Sequence, residues 1–279
     1  MKPKHELLLK KQYTAFLKSQ SLWESSTSID IPVFKLKNSI DEIKDITNIC
    51  IPKNEVLGKR IELFFEHYIH TSPDYQLILK NLQIFRNKIT IGELDFLISD
   101  IVNKQVLHVE LVYKFYIYNP KISSIELEKW VGPNLKDSLI SKITKLKKKQ
   151  LPLLYQPETV SILKKIHIDV NSIEQQICYL ANLFIPLDYK IRQIPIINNS
   201  CIQGFWIRFT HFSKKEYGTY FFNIPDKKDW ILTPTYSDDW FTYEFVLEQI
   251  KNHVSNKKSP LLWIKNKEDI LTKLFIVWW

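Results

Sequence analysis

Glycine, cysteine and long apolar runs are all scarce in this chain. Only five glycines occur among its 279 residues, whereas aromatic residues make up 13%, and this balance favours a well-packed interior over disorder. The three cysteines, Cys50, Cys178 and Cys201, are odd in number and far apart, so neither a disulfide framework nor a zinc knuckle is indicated. We therefore expect the protein to work in a reducing compartment.

The sequence also lacks the segments that take a protein to or through a membrane. The N-terminal stretch MKPKHELLLKKQY has no apolar run of the kind found in signal peptides. No segment approaches the roughly 18 apolar residues of a membrane span, and no internal repeat or low-complexity tract is present. We expect a cytoplasmic protein that has no membrane partner.

The chain is rich in hydrophobic residues and in positive charge. Hydrophobic residues make up 45% and charged residues 25% of the sequence, which is typical of a globular protein that buries a sizeable core. The net charge of +9 favours an anionic partner such as nucleic acid. A lysine-rich composition can equally serve only to keep a protein in solution, and nothing in the sequence indicates an oligomeric state.

The most informative stretch is residues 91–118, which read IGELDFLISDIVNKQVLHVELVYKFYIY. Apolar and polar residues alternate in both halves, and a polar turn over residues 100–105 separates them, which predicts a β-hairpin. The predicted apolar face of the first strand consists of Gly92, Leu94, Phe96 and Ile98. That of the second strand consists of Leu107, Val109, Leu111, Tyr113, Phe115 and Ile117.

The opposite faces of these two strands carry acidic side chains. Asp95 lies on this face of the first strand, and Glu110 lies on that of the second, between His108 and Lys114. If the two faces meet, Asp95 and Glu110 stand within reach of one divalent cation, with Lys114 further along the same row. The alternative is that both acids only face water, as on many half-buried sheets.

A helix is predicted before the hairpin, from a cap at Asn54 to about His70. Its buried stripe is predicted to be Val56, Leu57, Ile61, Phe64, Phe65 and Tyr68. Glu62 and Glu66 are four residues apart and share a direction on this helix, so both could overlook the acidic face of the sheet. Such a pair of like charges can equally mark a solvated face.

The most basic stretch follows the hairpin. Pro133 suits the first turn of a helix, in which the predicted core residues are Leu135, Leu139, Ile143 and Leu146. Only Asp137 offsets its lysines, which are Lys136, Lys142, Lys145, Lys147, Lys148 and Lys149. We interpret this face as a nucleic-acid contact, through Lys142, Lys145, Lys148 and Lys149, although charged helix faces are often only solvated. Gln150 either reaches the acidic site or merely ends the helix.

Periodicity predicts the remaining elements in outline. We expect helices over residues 5–22, 40–46, 157–166 and 241–254, and strands over residues 76–86 and 177–187. Residues 204–224 are predicted to form an aromatic hairpin with SKKEY at its turn, and residues 260–265 and 274–279 to form closing segments. The aromatic side chains of this last part could stack on bases, or could simply be core.

Four motifs in order, LGKRIE, GELDFL, HVELVYKFY and WVGPN, carry a family resemblance. Together they resemble the PD-(D/E)XK nuclease-like superfamily and, more closely, a bacterial domain family of unknown function placed within it. The resemblance is good over about residues 50–190. It implies a core of helix, three strands, helix and strand, with Mg²⁺, or Mn²⁺ as an alternative, held by Asp95 and Glu110 and with Glu62 as an outer metal or water ligand.

The chain departs from the superfamily pattern at two positions. The lysine that usually stands two residues after the glutamate is replaced by Val112, and the nearest lysine is Lys114. Its Cα lies about 6.6 Å further along the strand, a distance that a lysine side chain can cover. Lys114 could therefore serve the catalytic role, contact a phosphate or form a structural ion pair. Leu94 stands where the pattern has proline, which carries no chemistry.

We therefore expect an α/β protein with a restriction-endonuclease-like core, a mixed sheet and a β-rich aromatic C-terminal extension. The predicted boundaries are 1–50 for an N-terminal helical segment, 51–187 for the core and 188–279 for the extension. The first functional hypothesis is Mg²⁺-dependent hydrolysis of nucleic-acid phosphodiesters, with Glu62, Asp95, Glu110 and Lys114 as catalytic residues. The alternatives are a catalytically inactive nucleic-acid-binding module of the same fold and a protein-interaction scaffold.

Overall fold

The apolar runs of the sequence become the strands of one mixed sheet. The computed structural model describes residues 2–24, 29–37, 49, 51–190, 193–236 and 239–279. The strands within these ranges are β1 (Tyr75–Arg86), β2 (Ile89–Asp100), β3 (Gln105–Tyr118), β4 (Trp130–Val131), β5 (Ile173–Pro186), β6 (Ile202–Arg208), β7 (Phe221–Asn223), β8 (Leu261–Lys265) and β9 (Leu271–Val277). Their order across the sheet is β1-β2-β3-β5-β6-β9-β8-β7, and β4 pairs with β3.

The helices pack on both faces of this sheet. They are α1 (Lys2–Leu17), α2 (Leu57–Thr71), α3 (Leu139–Lys145), α4 (Pro157–Lys165), α5 (Lys214–Tyr217) and α6 (Tyr243–Ser255). None of the helices in the described ranges is long and apolar enough to cross a membrane. The prediction of an α/β protein with a mixed sheet is confirmed.

The direction of strand pairing changes at β3, in the middle of the sheet. Strands β1, β2 and β3 form an antiparallel meander, whereas β3, β5, β6 and β9 are mutually parallel neighbours. The connection from β3 to β5 carries α3 and α4, because a parallel pair needs a long crossover. Strands β8 and β7 then close the sheet in antiparallel pairing.

Both faces of β3 are covered by other parts of the chain around Glu110. On one face, Val109 and Ile117 belong to the core that also contains α1 and α2. On the other face, Val112 and Tyr116 pack with Leu139 of α3. The alternative that Glu110 only faces solvent is wrong, because Glu110 is fully buried. Lys114, further along the same row, keeps 38% of its side chain exposed.

Three details of the predicted local structure are wrong. The helix after WVGPN begins at Leu139 and not at Pro133, because Ser138 forms a capping box with Ser141. Leu135 is exposed, with a positive φ of 57°, so it belongs to a loop. The cap at Asn54 is also wrong, since α2 begins at Leu57, after Val56, which is exposed.

The predicted apolar face of β2 is divided between two cores. Phe96 and Ile98 pack against α2, whereas Leu94 packs with Leu97 and Leu153 on the other side. Positions three apart lie on opposite faces of a regular strand, so the alternation of side chains is interrupted between Leu94 and Leu97. Asp95 lies within this interruption.

The predicted hairpin in residues 204–224 is also wrong. The stretch SKKEY contains α5, and β6 and β7 do not pair with each other. Strand β6 instead pairs with β5 and β9, and β7 pairs with β8. The predicted strands at 76–86 and 177–187 and the predicted helices at 157–166 and 241–254 are confirmed in type, with small shifts of their ends. The predicted helix near residues 40–46 lies outside the described residues.

Long-range polar contacts join the ends of the chain to its middle. Arg60 of α2 is buried and donates to Gln12 of α1 at 3.0 Å, and Gln12 in turn donates to Asp229 at 2.6 Å. At the other end, Ser259 and Trp279 both donate to the carbonyl of Pro133, at 2.6 and 3.1 Å. The C-terminal part of the chain therefore holds the WVGPN loop.

Candidate functional site

The candidate site lies where β2 and β3 separate. Their backbone pairing ends at Phe96 and Val109. The next amide of β3 that points toward β2, the N–H of Leu111, donates to the Asp95 carboxylate at 2.9 Å. A side chain thus replaces the backbone acceptor that an antiparallel ladder would supply there. The hydrogen bond from Leu111 fixes Asp95 at the opening between the strands.

Glu110 provides the second acid of the site from within β3. It is fully buried, and each of its carboxylate oxygens accepts a hydrogen bond. Oε1 lies 3.1 Å from Nε2 of His108, and Oε2 accepts from the side-chain amide of Gln150. Gln150 reaches it because a π-helical turn over residues 146–150 follows α3.

The surroundings of Asp95 change its tendency to ionise. Burial, together with the negative charge of Glu110, raises the pKa of Asp95 from 3.8 to about 7. The hydrogen bond from Leu111 and the positive charge of Lys142 oppose this rise, and the charge of Glu62 adds a little to it. Two carboxylates held in this way have a strong preference for a nearby cation.

Lys142 is the cation that the structure brings to this pair. It projects from α3 and donates to Oε1 of Gln150 at 2.8 Å, so Gln150 links it to Glu110. Burial lowers the pKa of Lys142, while the charges of Glu110 and Asp95 oppose that decrease. The sequence had placed Lys142 on an exposed basic face. In the structure it is half-buried beside the acids.

Lys114 is held by another partner. Its ammonium group binds Asp137 at 2.7 Å. Asp137 fits against Gly132 of the WVGPN loop, where a Cβ would lie only 2.0 Å from Oδ1 of Asp137. Glycine is therefore required at position 132 if Asp137 is to keep this position. Lys114 is nevertheless near enough for its charge to lower the pKa of Lys142.

The two glutamates of α2 lie at the margin of the site. Glu62 binds Lys59 at 2.6 Å and lies 3.5 Å from the amide nitrogen of Asn81. Its only effect on the acids is through charge, as one contribution to the raised pKa of Asp95. Glu66 binds Lys80 of β1. Glu62 thus lies close enough to influence the charge of Asp95, whereas Glu66 forms an ion pair with β1.

A strongly basic surface lies next to the site, on the helical segment that carries Lys142. Lys145, Lys147, Lys148 and Lys149 are all exposed. They form no ion pair with any residue that the structure describes. We call these four residues the lysine face. Its charge is free to meet an anion.

The donor set suits a hard divalent cation. No group of three or more His, Cys, Asp or Glu side chains within the described ranges could hold a metal ion by itself. Mg²⁺, however, is commonly bound by one or two carboxylates, with water and substrate phosphate oxygens completing its shell. Asp95 and Glu110 provide two such carboxylates, and burial together with the charge of Glu110 raises the pKa of Asp95. These residues fit Mg²⁺ or Mn²⁺.

Sequence reasoning missed two members of the site. His108 stood in the polar row of β3 without a role, and Gln175 of β5 carried no signal at all. Gln175 donates to Nδ1 of His108 at 2.9 Å and to the carbonyl of Leu151 at 2.8 Å. The two residues are direct partners in the parallel ladder of β3 and β5, and only knowledge of that register could have paired them.

Comparison with known proteins gives a match at the level of the family. The model of a domain of unknown function (DUF1853) matches residues 6–273 of the chain. The match extends well beyond residues 50–190, where the motif resemblance was strongest. No curated protein and no solved structure matches the chain.

Proposed function

Because the chain belongs to the DUF1853 family, whose function is not known, we propose its activity from the site itself: Mg²⁺-dependent hydrolysis of nucleic-acid phosphodiesters at Asp95 and Glu110. The observation that carries this proposal is the pair of acids beside Lys142, of which Glu110 is fully buried and Asp95 is half-buried with a pKa raised to about 7. Acids in a structural ion pair would have lowered pKa values. The pKa of Asp95 is instead raised, first by burial and then by the charge of Glu110, and carboxylates perturbed in this way are common at functional sites.

The order of the elements supports the same proposal. From α2 to β5, the chain passes through a helix, three antiparallel strands, helices and a strand parallel to the third. This is the order that the resemblance to the PD-(D/E)XK nuclease-like superfamily implies, with the acids on its second and third strands. Asp95 lies at the opening between β2 and β3, close enough to Lys142 of α3 for that positive charge to oppose the rise of its pKa.

Each residue of the site has a distinct role in this proposal. Asp95 and Glu110 hold the cation, which when bound would polarise the phosphate and activate a water molecule. Glu62 lies nearby and helps to place that water. Lys142 neutralises charge that develops on the phosphate, and we assign it this role in preference to Lys114, whose ammonium group is engaged by Asp137.

The lysine face would bind the nucleic-acid backbone. Phosphate contacts by lysine are independent of base sequence and depend strongly on salt. The four exposed lysines follow Lys142 within about two turns of helix, so a strand bound there would pass close to the acids. Nothing in this arrangement selects DNA over RNA, or ends over internal positions.

One observation favours binding without cleavage. Val112 occupies the usual lysine position, and the nearest lysine on the strand is bound to Asp137. If Lys142 does not supply the missing charge, the site could bind a cation and nucleic acid without accelerating hydrolysis. This second candidate predicts the same metal binding and the same salt-dependent affinity, but no turnover.

The test combines metal binding with cleavage. We expect isothermal titration with Mn²⁺ to show a site in the wild-type chain that Asp95→Asn and Glu110→Gln each abolish, with far-UV circular dichroism unchanged. We expect the same two variants to lose Mg²⁺-dependent cleavage of labelled single- and double-stranded DNA and RNA. Glu66→Gln is the matched control, since it removes an acid of α2 that binds Lys80.

The outcomes separate the candidates. Metal binding that depends on both acids, with no cleavage of any substrate, selects the binding module. A wild-type chain that binds neither Mn²⁺ nor nucleic acid overturns both candidates and leaves the protein-interaction scaffold.

A further inference from the structure

A chain of polar side chains connects Glu110 to β5, which pairs with β3 on the edge opposite β2. His108 and Glu110 are both fully buried. Gln175 contacts Nδ1 of the His108 ring at 2.9 Å, and Nε2 of the same ring lies 3.1 Å from Glu110. The ring therefore bridges the acid of β3 and a side chain of β5.

The contacts of Gln175 determine which ring nitrogen of His108 carries the proton. The nitrogen of the Gln175 amide must donate to the Leu151 carbonyl, which can only accept. The second hydrogen of that amide then points at Nδ1 of His108, which must accept it. The proton of a neutral ring consequently lies on Nε2. This is the tautomer that donates to Glu110.

Glu110 thus receives hydrogen bonds without receiving a charge. His108 in this tautomer and the Gln150 amide are both neutral donors. They fix the orientation of the carboxylate plane and occupy one lone pair on each oxygen. The negative charge stays available to a cation, whereas a charged histidine would neutralise it.

We propose that His108 is a positioning residue for Glu110, set in its donor tautomer by Gln175, and that it holds this carboxylate in the orientation that binds a divalent cation. The inference rests on the proposed function, in which Glu110 is a metal ligand. Groups that hydrogen-bond a metal ligand from behind fix its geometry and raise its affinity for metal. His108 does not touch the substrate or the cation.

A purely space-filling role for His108 makes different predictions. Glutamine can place an amide nitrogen and an amide oxygen where the ring has Nε2 and Nδ1, so His108→Gln preserves both the donor and the acceptor. His108→Leu fills a similar volume but preserves neither. The contrast between the two variants therefore reports hydrogen bonding and not packing.

The first readout is Mn²⁺ affinity, measured by titration calorimetry in the absence of substrate. We expect His108→Leu to weaken Mn²⁺ binding by about 10- to 100-fold, and His108→Gln to remain within about threefold of wild type. Gln175→Leu, which leaves both partners of Glu110 in place, should weaken binding by an intermediate factor. This last variant also keeps the inference testable if His108→Leu fails to fold.

The second readout is the tautomer itself. Long-range ¹⁵N–¹H correlation spectra of metal-free protein should show His108 protonated at Nε2 in the wild type, and a mixture of tautomers in Gln175→Leu. An Nδ1-protonated ring in the wild type would overturn the inference. Unchanged Mn²⁺ affinity in a folded His108→Leu variant would do the same, as would equal losses in His108→Leu and His108→Gln.

Failure of this inference is distinguishable from failure of the proposed function. If Glu110→Gln binds Mn²⁺ as the wild type does, there is no metal site at Glu110 and both proposals fall. If Glu110→Gln loses Mn²⁺ binding while His108→Leu retains it, only the positioning role of His108 is wrong.

Discussion

Replacing Asp95 by asparagine should make the metal-free protein more stable at neutral and alkaline pH. In the folded chain, burial and Glu110 raise the pKa of Asp95 from 3.8 to about 7. The folded state therefore keeps this proton to a higher pH than the unfolded state does. The stability that the proton provides is complete below pH 4 and is lost as the pH rises from about 4 through about 7.

The size of the effect follows from the two pKa values. At about 1.4 kcal/mol per pH unit, the change from 3.8 to about 7 corresponds to a loss of about 4 kcal/mol by pH 8. Asparagine cannot ionise, yet its side-chain oxygen can still accept from the Leu111 amide. We expect Asp95→Asn and the wild type to be equally stable at pH 4, and the variant to be more stable by up to about 4 kcal/mol at pH 8.

Urea unfolding followed by tryptophan fluorescence, in EDTA and at several pH values between 4 and 8, measures this difference. Asp100→Asn at the far end of β2 is the matched control. Burial alone would raise the pKa of Asp100, but hydrogen bonds from Asn103 lower it. Removing the Asp100 carboxylate should therefore destabilise the protein at neutral pH. Parallel stability curves for the wild type and Asp95→Asn would refute the conclusion that burial and Glu110 raise the pKa of Asp95.

Two further predictions concern the lysines. Lys142→Met should reduce the cleavage rate by about 100-fold at saturating Mg²⁺. Lys114→Met should stay within about threefold of the wild-type rate, because Asp137 neutralises that ammonium group. If single-turnover assays rank the two variants the other way, Lys114 and not Lys142 neutralises the charge on the phosphate. Changing Lys145, Lys148 and Lys149 to Gln should weaken nucleic-acid binding for every sequence, and fluorescence anisotropy at several salt concentrations should show a salt slope reduced by about 0.9 for each lysine–phosphate ion pair that the change removes. An unchanged slope would mean that the lysine face is only solvated.

The sequence could place the two acids but not their surroundings. Alternation with a period of two puts Asp95 and Glu110 on one side of neighbouring strands, and the polar turn makes those strands antiparallel. The burial of Glu110 depends on α3 and β5, which cover β3 from elsewhere in the chain. Local periodicity carries no information about such a covering layer.

The lysine of the site shows a second kind of limit. Lys142 and the lysine face belong to one continuous basic run, and a regular helix would give no reason to separate them. The helix begins with a capping box at Ser138 and changes to a π turn at Leu146. This turn brings Gln150 to Glu110, and Lys142 donates to Gln150.

The hairpin predicted in residues 204–224 is wrong for a related reason. Its two strands pair with strands that lie far away in the sequence.

The position of β9 has a consequence for how the chain folds. This strand lies inside the sheet, between β6 and β8, although β7, α6 and β8 all precede it in the sequence. Until β9 is in place, β6 presents an unpaired edge of aromatic and aliphatic residues, which is a site for mispairing between molecules. Parallel, non-local pairing of this kind is also slow to form. We therefore expect refolding yield to fall steeply with protein concentration and to improve when β9 is stabilised, for instance by a β-branched residue at Leu271.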